Sequence, residues 1–409
     1  MSTWPVVVVT GANAGVGFGI CRRLIFQLCL SNPPDSWPQS WANSDKTSAD
    51  SAPVDGLTLI MACRSTQRAD AARKDLYKEL DVYMARLRAR PGYDGHADVF
   101  RRNLKIEIEY LDLAALSSVF NFGEQMSKKH SYISHLVLNA GIANFTHIDW
   151  LLCFKQLSSG FLSAITAPQF YVQSAGEVSV DGLGWIWQSN LFGHYVLFRA
   201  LEPLLKNSAY PIDSRIIWSS SVEASPKFYD HADWQLTKTE HSYESVKYQI
   251  DLIATILDRQ ALQDSSASKR IRHFISHPGV CSTKISNNLV VHGGVLDNVK
   301  VFVFYLGRIL FGSRHHPITP ANSAVAAVHL ILVSISFIAL SRIPLSKTDA
   351  EPDPVRFGSE TDRWGHAEVG LTPVRSWKEN EAHGEFLVGK CDELYWDFSE
   401  KRVTSISKS

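Results

Sequence analysis

Tyr243 and Lys247 carry the chemistry that is easiest to recognise in this sequence, within the run Tyr-Glu-Ser-Val-Lys. Residues four apart on a helix share a face, so the lysine ammonium would lie beside the phenol. A tyrosine phenol normally titrates near pH ~10, and a neighbouring cation stabilises the phenolate. Such a pair can give a proton to a carbonyl oxygen while a hydride from a cofactor arrives at the carbon. A serine from the run at 219–221 would orient and polarise that carbonyl.

A glycine-rich segment near the N-terminus, TGANAGVG at residues 10–17, has the composition of a phosphate-binding turn. It follows a β-branched run and precedes an apolar stretch with helical spacing at 20–30. Gly11 permits a tight turn, Gly15 lets the backbone approach a pyrophosphate, and Gly17 allows a helix to pack closely on a strand. The N-terminus of the helix offers free N–H groups to the phosphate charge. The segment therefore predicts a dinucleotide site.

The glycine spacing, GxxxGxG, resembles that of the short-chain dehydrogenase/reductase family, and further motifs of that family follow it in the same order. They are Asn139-Ala140-Gly141 after the fourth strand, Asn190 in the fourth helix, a serine at 219–221, Tyr243 with Lys247, and Pro278-Gly279-Val280 with Thr283. These motifs extend from residue 10 to residue 283, and a chance match in that order is improbable.

The resemblance implies a role for each of four catalytic side chains. Tyr243 would donate the proton, and Lys247 would support it and hydrogen-bond the nicotinamide ribose. Asn190 would hold a water that links Lys247 to a proton relay. Alignment with the family's fifth strand assigns the catalytic hydroxyl to Ser221, with Ser220 as the alternative.

The end of the second strand indicates which cofactor is used. Members of the family that use NAD carry an acid there, which binds the ribose hydroxyls and repels a phosphate. This chain instead reads Cys-Arg-Ser-Thr, and the Arg64 guanidinium can bind a 2′-phosphate bidentately, unless it is simply a surface arginine. NADPH is therefore the predicted cofactor, and Asp112 matches the acid that contacts adenine in the family. The resemblance implies a cofactor-binding set of Gly11, Asn13, Gly15, Val16, Gly17, Arg64, Ser65, Thr66, Asp112, Asn139, Ala140, Gly141, Tyr243, Lys247, Pro278, Val280, Ser282 and Thr283.

Strand-like and helix-like segments alternate along the chain. The strand-like runs are at 6–10, 57–63, 104–111, 133–138, 215–218 and 271–276. Strands that alternate with helices predict βαβ units with right-handed crossovers and a parallel sheet. We expect one α/β domain over residues 1–409. It should be a doubly wound, Rossmann-type parallel sheet with helices on both faces, inserted loops and an apolar lid.

Several segments depart from this alternation. Residues 31–55 are rich in Ser, Pro, Asp and Asn and predict a mobile insertion. The aromatic-rich segment 144–181 predicts an insertion near the active site that either packs on itself or caps it. Residues 281–320 are predicted to form the substrate lid. Their apolar run, 299–311, is too short to cross ~30 Å of hydrocarbon and suits either a buried lid or a helix in the membrane interface. The apolar stretch 324–340 is predicted as the last core helix rather than a membrane span.

Composition excludes other classes of protein. The 41 basic and 41 acidic residues cancel, which does not favour nucleic acid as a partner. The six cysteines contain no CxxC pair, so we expect reduced thiols in a cytosol-facing protein and no metal site. The first residues lack the charged flank and cleavage site of a secretory signal.

A narrower resemblance lies outside the general motifs, at 167–171, 179–184 and 357–359, where the chain is similar to the family's fungal reductases of 3-keto-steroids. It implies NADPH-dependent reduction of a sterol 3-ketone to the 3β-hydroxysterol during C-4 demethylation in sterol biosynthesis. The implied partners are a C-4 methyl oxidase, a C-3 dehydrogenase/decarboxylase, their scaffold protein and the membrane surface. The implied location is peripheral or monotopic, on the cytosolic face of the endoplasmic reticulum membrane or of lipid droplets. The alternatives are a reductase for a 17-ketosteroid, retinal or xenobiotic carbonyl, and a non-catalytic scaffold.

Overall fold

The structure is a computed structural model that describes residues 3–42, 53–264, 269–282, 295–340 and 353–406. These residues contain ten strands, which are β1 (Val6–Thr10), β2 (Leu57–Cys63), β3 (Leu104–Tyr110), β4 (His135–Leu138), β5 (Phe145–Ile148), β6 (Tyr171–Gln173), β7 (Ser214–Ser219), β8 (Ile271–His277), β9 (Val355–Thr361) and β10 (Ala367–Pro373).

Eight of the described strands form one sheet in the order β3-β2-β1-β4-β7-β8-β9-β10. Every neighbouring pair is parallel except β9 and β10, which are antiparallel. The chain builds outward from β1 to β3 and then returns to add β4 on the other side of β1. This reversal of strand order leaves a crevice at the carboxyl ends of β1 and β4, the usual ligand position in such sheets. The predicted doubly wound parallel sheet is confirmed.

Helices cover both faces of the sheet, as predicted. They are α1 (Gly15–Leu28), α2 (Thr66–Arg88), α3 (His96–Asn103), α4 (Leu116–Lys129), α5 (Trp150–Ser159), α6 (Phe161–Thr166), α7 (Trp185–Trp187), α8 (Gly193–Lys206), α9 (Ser242–Gln263), α10 (Val295–Ile309), α11 (Pro320–Ser323), α12 (Val325–Leu332), α13 (Ile335–Leu340) and α14 (Trp377–Ile406).

The alternation of side chains along β1 separates two apolar cores. Successive residues of a strand point to opposite faces. Val6 and Val8 accordingly join the core beneath α4, α8, α9 and α14. Val7 and Val9 join the core beneath α1, α2, α3 and α12. All four valines are buried, which explains why β1 reads as a continuous apolar run.

The first part of the segment predicted as a mobile insertion, residues 31–42, packs against the domain. The buried carboxylate of Asp35 accepts from Arg23 Nε at 2.5 Å and from Arg23 Nη2 at 2.7 Å. The indole of Trp41 donates to the carbonyl of Val369 at 2.9 Å. Residues 43–52, the centre of that predicted insertion, lie outside the described residues.

The predicted insertion at 144–181 folds as a small unit of its own. Strands β5 and β6 pair in antiparallel fashion, and α5 and α6 lie between them in the chain. Helix α5 exposes a group of large apolar side chains, Trp150, Leu151 and Phe154.

The apolar run at 299–311 forms most of α10 and continues just beyond it. Phe302 and Leu310 are more than 60% exposed, whereas the Phe311 ring lies 4.9 Å from that of Phe161. A lid over the substrate stays a prediction, and residues 283–294 lie outside the described residues. The stretch 324–340, predicted as the last core helix, contains two helices, α12 and α13; α12 is buried in the core, and α14 later in the chain also packs on the core. In the described part of the chain, none of the helices combines the length and apolarity needed to cross a bilayer.

Candidate active site

The predicted site residues gather at the carboxyl edge of the sheet, around the reversal of strand order. The glycine turn follows β1, and the Asn-Ala-Gly turn follows β4. The serine run follows β7, and the Pro-Gly turn follows β8. Because these four strands are parallel neighbours, their loops leave the sheet on the same side.

The glycine turn has the shape that its sequence predicts. Gly11 and Gly15 have positive φ angles of 66° and 54°, which side chains rarely adopt. A Cβ on Gly17 would lie 2.3 Å from the Gly11 carbonyl oxygen, so only glycine allows this approach of helix to turn. Ala14 precedes α1 without a side-chain cap, which leaves the N–H groups of the first turn available. The turn therefore fits a pyrophosphate.

Thr10 ties the glycine turn to the next loop. Its hydroxyl accepts from the backbone N–H groups of Asn139 and Ala140, both at 2.9 Å. The Asn139 side chain in turn donates to the Thr10 carbonyl at 3.0 Å. Burial lowers the pKa of His194 to about 3, so its ring is neutral. Its Nδ1 donates to the Asn190 carbonyl at 3.0 Å, which leaves Nε2, 3.0 Å away, to accept the Thr10 hydroxyl proton.

Three candidate residues follow strand β2. Arg64 is exposed and directly follows Cys63, the last residue of the strand. The Ser65 hydroxyl accepts from the Arg68 N–H at 3.4 Å and caps α2, whose first residue is Thr66. The hydroxyl is therefore already engaged by the protein.

Asp112 lies after β3 at the same edge of the sheet. Its carboxylate accepts from the Ala114 N–H at 3.1 Å, and its own N–H donates to the Ser118 hydroxyl at 3.0 Å. These bonds hold the turn in which the predicted adenine contact lies.

Tyr243 lies at the start of α9 with its phenol against Ser221. Burial raises the pKa of Tyr243, Glu223 and Glu244 add to the rise, and a hydrogen bond from Ser221 opposes it. The Ser220 hydroxyl points elsewhere, since it donates to the Lys247 carbonyl at 3.3 Å. Of the two serines left open by the sequence, Ser221 is the one beside the phenol.

Lys247 lies one turn along α9 from Tyr243. Its Nζ donates to the Ser219 carbonyl at 2.8 Å and lies 5.7 Å from the centre of the Tyr243 ring. A Cβ on Gly141 would come within 3.7 Å of that Nζ. Burial lowers the pKa of Lys247 to about 8, and the charge of Asp251 opposes the change. The ammonium thus lies between the phenol and the loop after β4.

Asn190 lies in a π-helical turn, Gln188–Phe192, just before α8. Its Nδ2 donates to the carbonyls of Ile142 at 3.0 Å and Ile186 at 2.9 Å, and its Oδ1 accepts from the Ile142 N–H at 3.0 Å. The side chain therefore fixes the backbone that follows Gly141. π-Helical turns within helices are frequent at functional sites.

The loop after β8 is held by main-chain bonds. The Val280 N–H donates to the His315 carbonyl at 2.7 Å, and the Ser282 N–H donates to the Ile318 carbonyl at 2.9 Å. Pro278 precedes Gly279, whose φ of 67° again requires glycine. Thr283 lies outside the described residues.

Two residues at the site have no counterpart among the sequence predictions. Gln173 in β6 accepts from the Tyr243 N–H at 2.8 Å and from the Ser242 hydroxyl at 3.0 Å, so the insertion caps α9. Phe145 in β5 lies 6.0 Å from the Tyr243 ring. The aromatic content of 144–181 predicted where this segment would lie, but no spacing in it indicates a cap supplied across 70 residues.

Asp251 and Glu223 were also missed. Asp251 is four residues beyond Lys247, the same spacing that joins Tyr243 to Lys247, so the helical pattern could have revealed it. Burial raises the pKa of Glu223 to about 8, with a further contribution from Glu244. Nothing in the sequence around Glu223 predicts that environment.

The chain has full-length relatives among known proteins, although no family model matches it. It is 27% identical to the 3-keto-steroid reductase erg27 of Schizosaccharomyces pombe, over 99% of this chain and 100% of that protein. It is 28% identical to the 3-keto-steroid reductase of Kluyveromyces lactis, over 89% and 88% of the two chains. It is also 28% identical to the 3-keto-steroid reductase ERG27 of Saccharomyces cerevisiae, over 88% and 86%.

Solved structures with a similar arrangement include the RhlG/NADP active-site complex of Pseudomonas aeruginosa. It is 12% identical, with a TM-score of 0.47 over 80% of this chain and 88% of that one. Another is the 3-oxoacyl-[acyl-carrier protein] reductase of Brucella melitensis in complex with NAD. It is 16% identical, with a TM-score of 0.48 over 83% and 94%. The chain is thus similar over nearly its full length to fungal proteins named 3-keto-steroid reductases.

Proposed function

We propose that the protein reduces a sterol 3-ketone to the 3β-hydroxysterol with NADPH, in the C-4 demethylation of sterol biosynthesis. The observation that carries the reductase assignment is the grouping of Ser221, Tyr243 and Lys247 beside the glycine turn. The names of the full-length relatives support a 3-keto-steroid as the substrate.

The proposed reduction uses the three side chains in distinct ways. NADPH supplies the hydride that reaches the carbonyl carbon. Because burial raises the pKa of Tyr243, its phenol stays protonated near neutral pH and can donate the proton to the carbonyl oxygen. The Ser221 hydroxyl, which lies beside the phenol, would hold the same oxygen. The Lys247 ammonium stabilises the phenolate that remains.

The residues present fit NADPH. The cradle formed by Gly11, Gly15 and Gly17 would hold the pyrophosphate, and a Cβ at Gly17 would clash with the Gly11 carbonyl that shapes this cradle. Exposed Arg64 would bind the 2′-phosphate, Asp112 would contact the adenine, and Lys247 would bind the nicotinamide ribose. The loops at 139–141 and 278–283 would complete the site.

We also propose that the protein works as a peripheral or monotopic protein on the cytosolic face of the endoplasmic reticulum or of lipid droplets. Helix α5 exposes Trp150 and Phe154, and α10 with the residues that follow it exposes Phe302 and Leu310. Exposed apolar patches of this kind mark contact with a partner or a membrane. A lipid surface would supply a substrate that barely dissolves in water, and the other enzymes of C-4 demethylation with their scaffold would be neighbours there.

Tyr243→Phe removes the proposed proton donor and leaves the glycine turn intact. We expect the rate of NADPH-dependent reduction of a 4-methyl or zymosterol-type 3-ketone to fall by about three orders of magnitude or more. The affinity for NADPH, measured by fluorescence, should stay near that of the wild type. Tyr195→Phe is the matched control, since its hydroxyl bonds Asp392 away from the site. More than a tenth of the wild-type turnover in Tyr243→Phe would refute the assignment, and equal turnover of retinal would favour a different carbonyl reductase.

Arg64→Glu replaces a partner of the 2′-phosphate with a repelling charge. We expect the ratio of kcat/KM for NADPH to that for NADH to drop at least ~10-fold, since a charge-assisted bidentate contact is lost. Arg86→Glu, an exposed substitution near the far end of α2, makes the same change in net charge and should leave the ratio alone. An unchanged ratio in Arg64→Glu would mean that another group binds the 2′-phosphate.

Replacing Phe302, Ile309 and Leu310 with Ser tests the membrane surface. Wild-type protein should float with phosphatidylcholine vesicles, and the triple variant should stay largely in the soluble fraction, because each large apolar side chain contributes roughly 1.5–3 kcal/mol on burial. The wild type and the triple variant must bind NADPH equally, because equal binding would show that the core of the variant is intact. Val82→Ser with Val403→Ser, on exposed positions of other helices, is the control. A wild type that never floats contradicts the proposed location.

A further inference from the structure

A buried ion pair lies directly behind the candidate active site. Asp251 is 1% exposed and Arg356 is 3% exposed. Arg356 Nη1 donates to Asp251 Oδ2 at 3.2 Å, across 105 residues of sequence. Asp251 belongs to α9, and Arg356 belongs to β9, in the part of the chain beyond the recognised motifs.

The pair is connected to the site on the serine side. The same Nη1 of Arg356 donates to the carbonyl of Ser221 at 3.2 Å. The Ser220 hydroxyl donates to the Lys247 carbonyl at 3.3 Å. Arg356 therefore holds the backbone of the serine run at Ser221, and the direction of the Ser221 hydroxyl depends on the carbonyl that Arg356 binds.

The pair is also connected on the lysine side. Tyr243, Lys247 and Asp251 are spaced four residues apart on one face of α9. Burial lowers the pKa of Lys247 to about 8, and Asp251 is the charge that raises it. Arg356 in turn affects the pKa of Asp251. Burial raises the pKa of this carboxyl, and Arg356, Ser220 and Lys247 oppose that rise.

Other titratable groups face the pair from neighbouring elements. From β8 and α8, His277 and His194 face Arg356 and Lys247, and burial holds the pKa of each imidazole far below its usual value, so both are neutral. Arg375, after β10, donates to the Ala224 carbonyl at 3.2 Å, and its charge interacts electrostatically with Asp251. Tyr248 stays protonated because burial raises its pKa, to which Asp251 and Glu379 add. Asp251 thus faces cations from α9, β9 and the segment after β10.

We propose that Asp251 and Arg356 are positioning residues for the reduction, Asp251 by holding Lys247 in its charged form and Arg356 by fixing Ser221 through its carbonyl. This inference rests on the proposed reductase activity. It assigns to the β9–β10 hairpin a direct part in shaping the site. Neither residue touches the reacting atoms.

Asp251→Asn tests the first half of the proposal. Removing the carboxylate should lower the pKa of Lys247 by about one unit or more, since an opposite charge at short range shifts a pKa by one to three units. Lysine carbons labelled with ¹³C at Cε, assigned with Lys247→Arg, report this titration by NMR without any substrate. The alkaline limb of the pH profile of kcat/KM should move to lower pH by the same amount. Asp251→Glu should restore the wild-type titration.

Asp258→Asn is the matched control. Asp258 lies two turns further along α9 and pairs with Arg272 of β8, with both side chains buried. Its loss should destabilise the fold to a similar degree and leave the Lys247 titration unchanged. If Asp251→Asn fails to fold, the double variant with Arg356→Gln, which leaves neither charge unpaired, undergoes the same measurement.

The outcomes separate this inference from the proposed function. A Lys247 titration that is the same in wild type and Asp251→Asn overturns the positioning role. An equal shift in Asp258→Asn also overturns it, because the effect would then be structural. If the titration moves as expected but no sterol 3-ketone is reduced by the wild type, the support of Lys247 by Asp251 stands and the proposed substrate is wrong.

Discussion

The ammonium group of Lys247 has to stay charged although the residue is only 4% exposed. Burial alone favours the neutral amine, and the surrounding elements oppose that preference. The ammonium donates a hydrogen bond to the Ser219 carbonyl at 2.8 Å, and Asp251 supplies a negative charge one turn away. The same burial raises the pKa of Tyr243 and keeps its phenol protonated. The same buried environment thus keeps Tyr243 protonated as the acid and places the Lys247 cation beside it.

The C-terminal part of the chain contributes to this environment from outside the recognised motifs. The Arg356 guanidinium, from β9, contacts the carbonyl of Ser221. Arg375, after β10, contacts the carbonyl of Ala224 in the same turn. Helix α14 packs on α9 and places the carbonyl of Arg375 against the Tyr248 hydroxyl at 3.0 Å. The hairpin and α14 therefore brace the serine loop and the helix of Tyr243 from one side, while Gln173 caps that helix from the other.

Local patterns predicted much of the fold and part of the site. The glycine turn and the closeness of Tyr243 to Lys247 follow from spacing that a few residues determine, and the parallel sheet follows from the alternation of strands and helices. The choice between Ser220 and Ser221 could not be predicted from such spacing. Both serines flank the same turn, and only the packing of α9 distinguishes them. Gln173 and Arg356 were missed because each reaches the site from about 70 to 135 residues away. The composition of residues 31–55 predicted a mobile insertion, and it could not reveal that the buried carboxylate of Asp35 pairs with Arg23.

The proposed reaction is the transfer of a hydride to a sterol 3-ketone at this site, with Tyr243 as the acid. The most direct test is to incubate the purified protein with a 4-methyl or zymosterol-type 3-ketone and NADPH that carries deuterium at both C4 positions of the nicotinamide, and to examine the sterol by mass spectrometry. We expect a 3β-alcohol with one deuterium, at C3. A sterol recovered as the unchanged ketone, or an alcohol without deuterium, would contradict it.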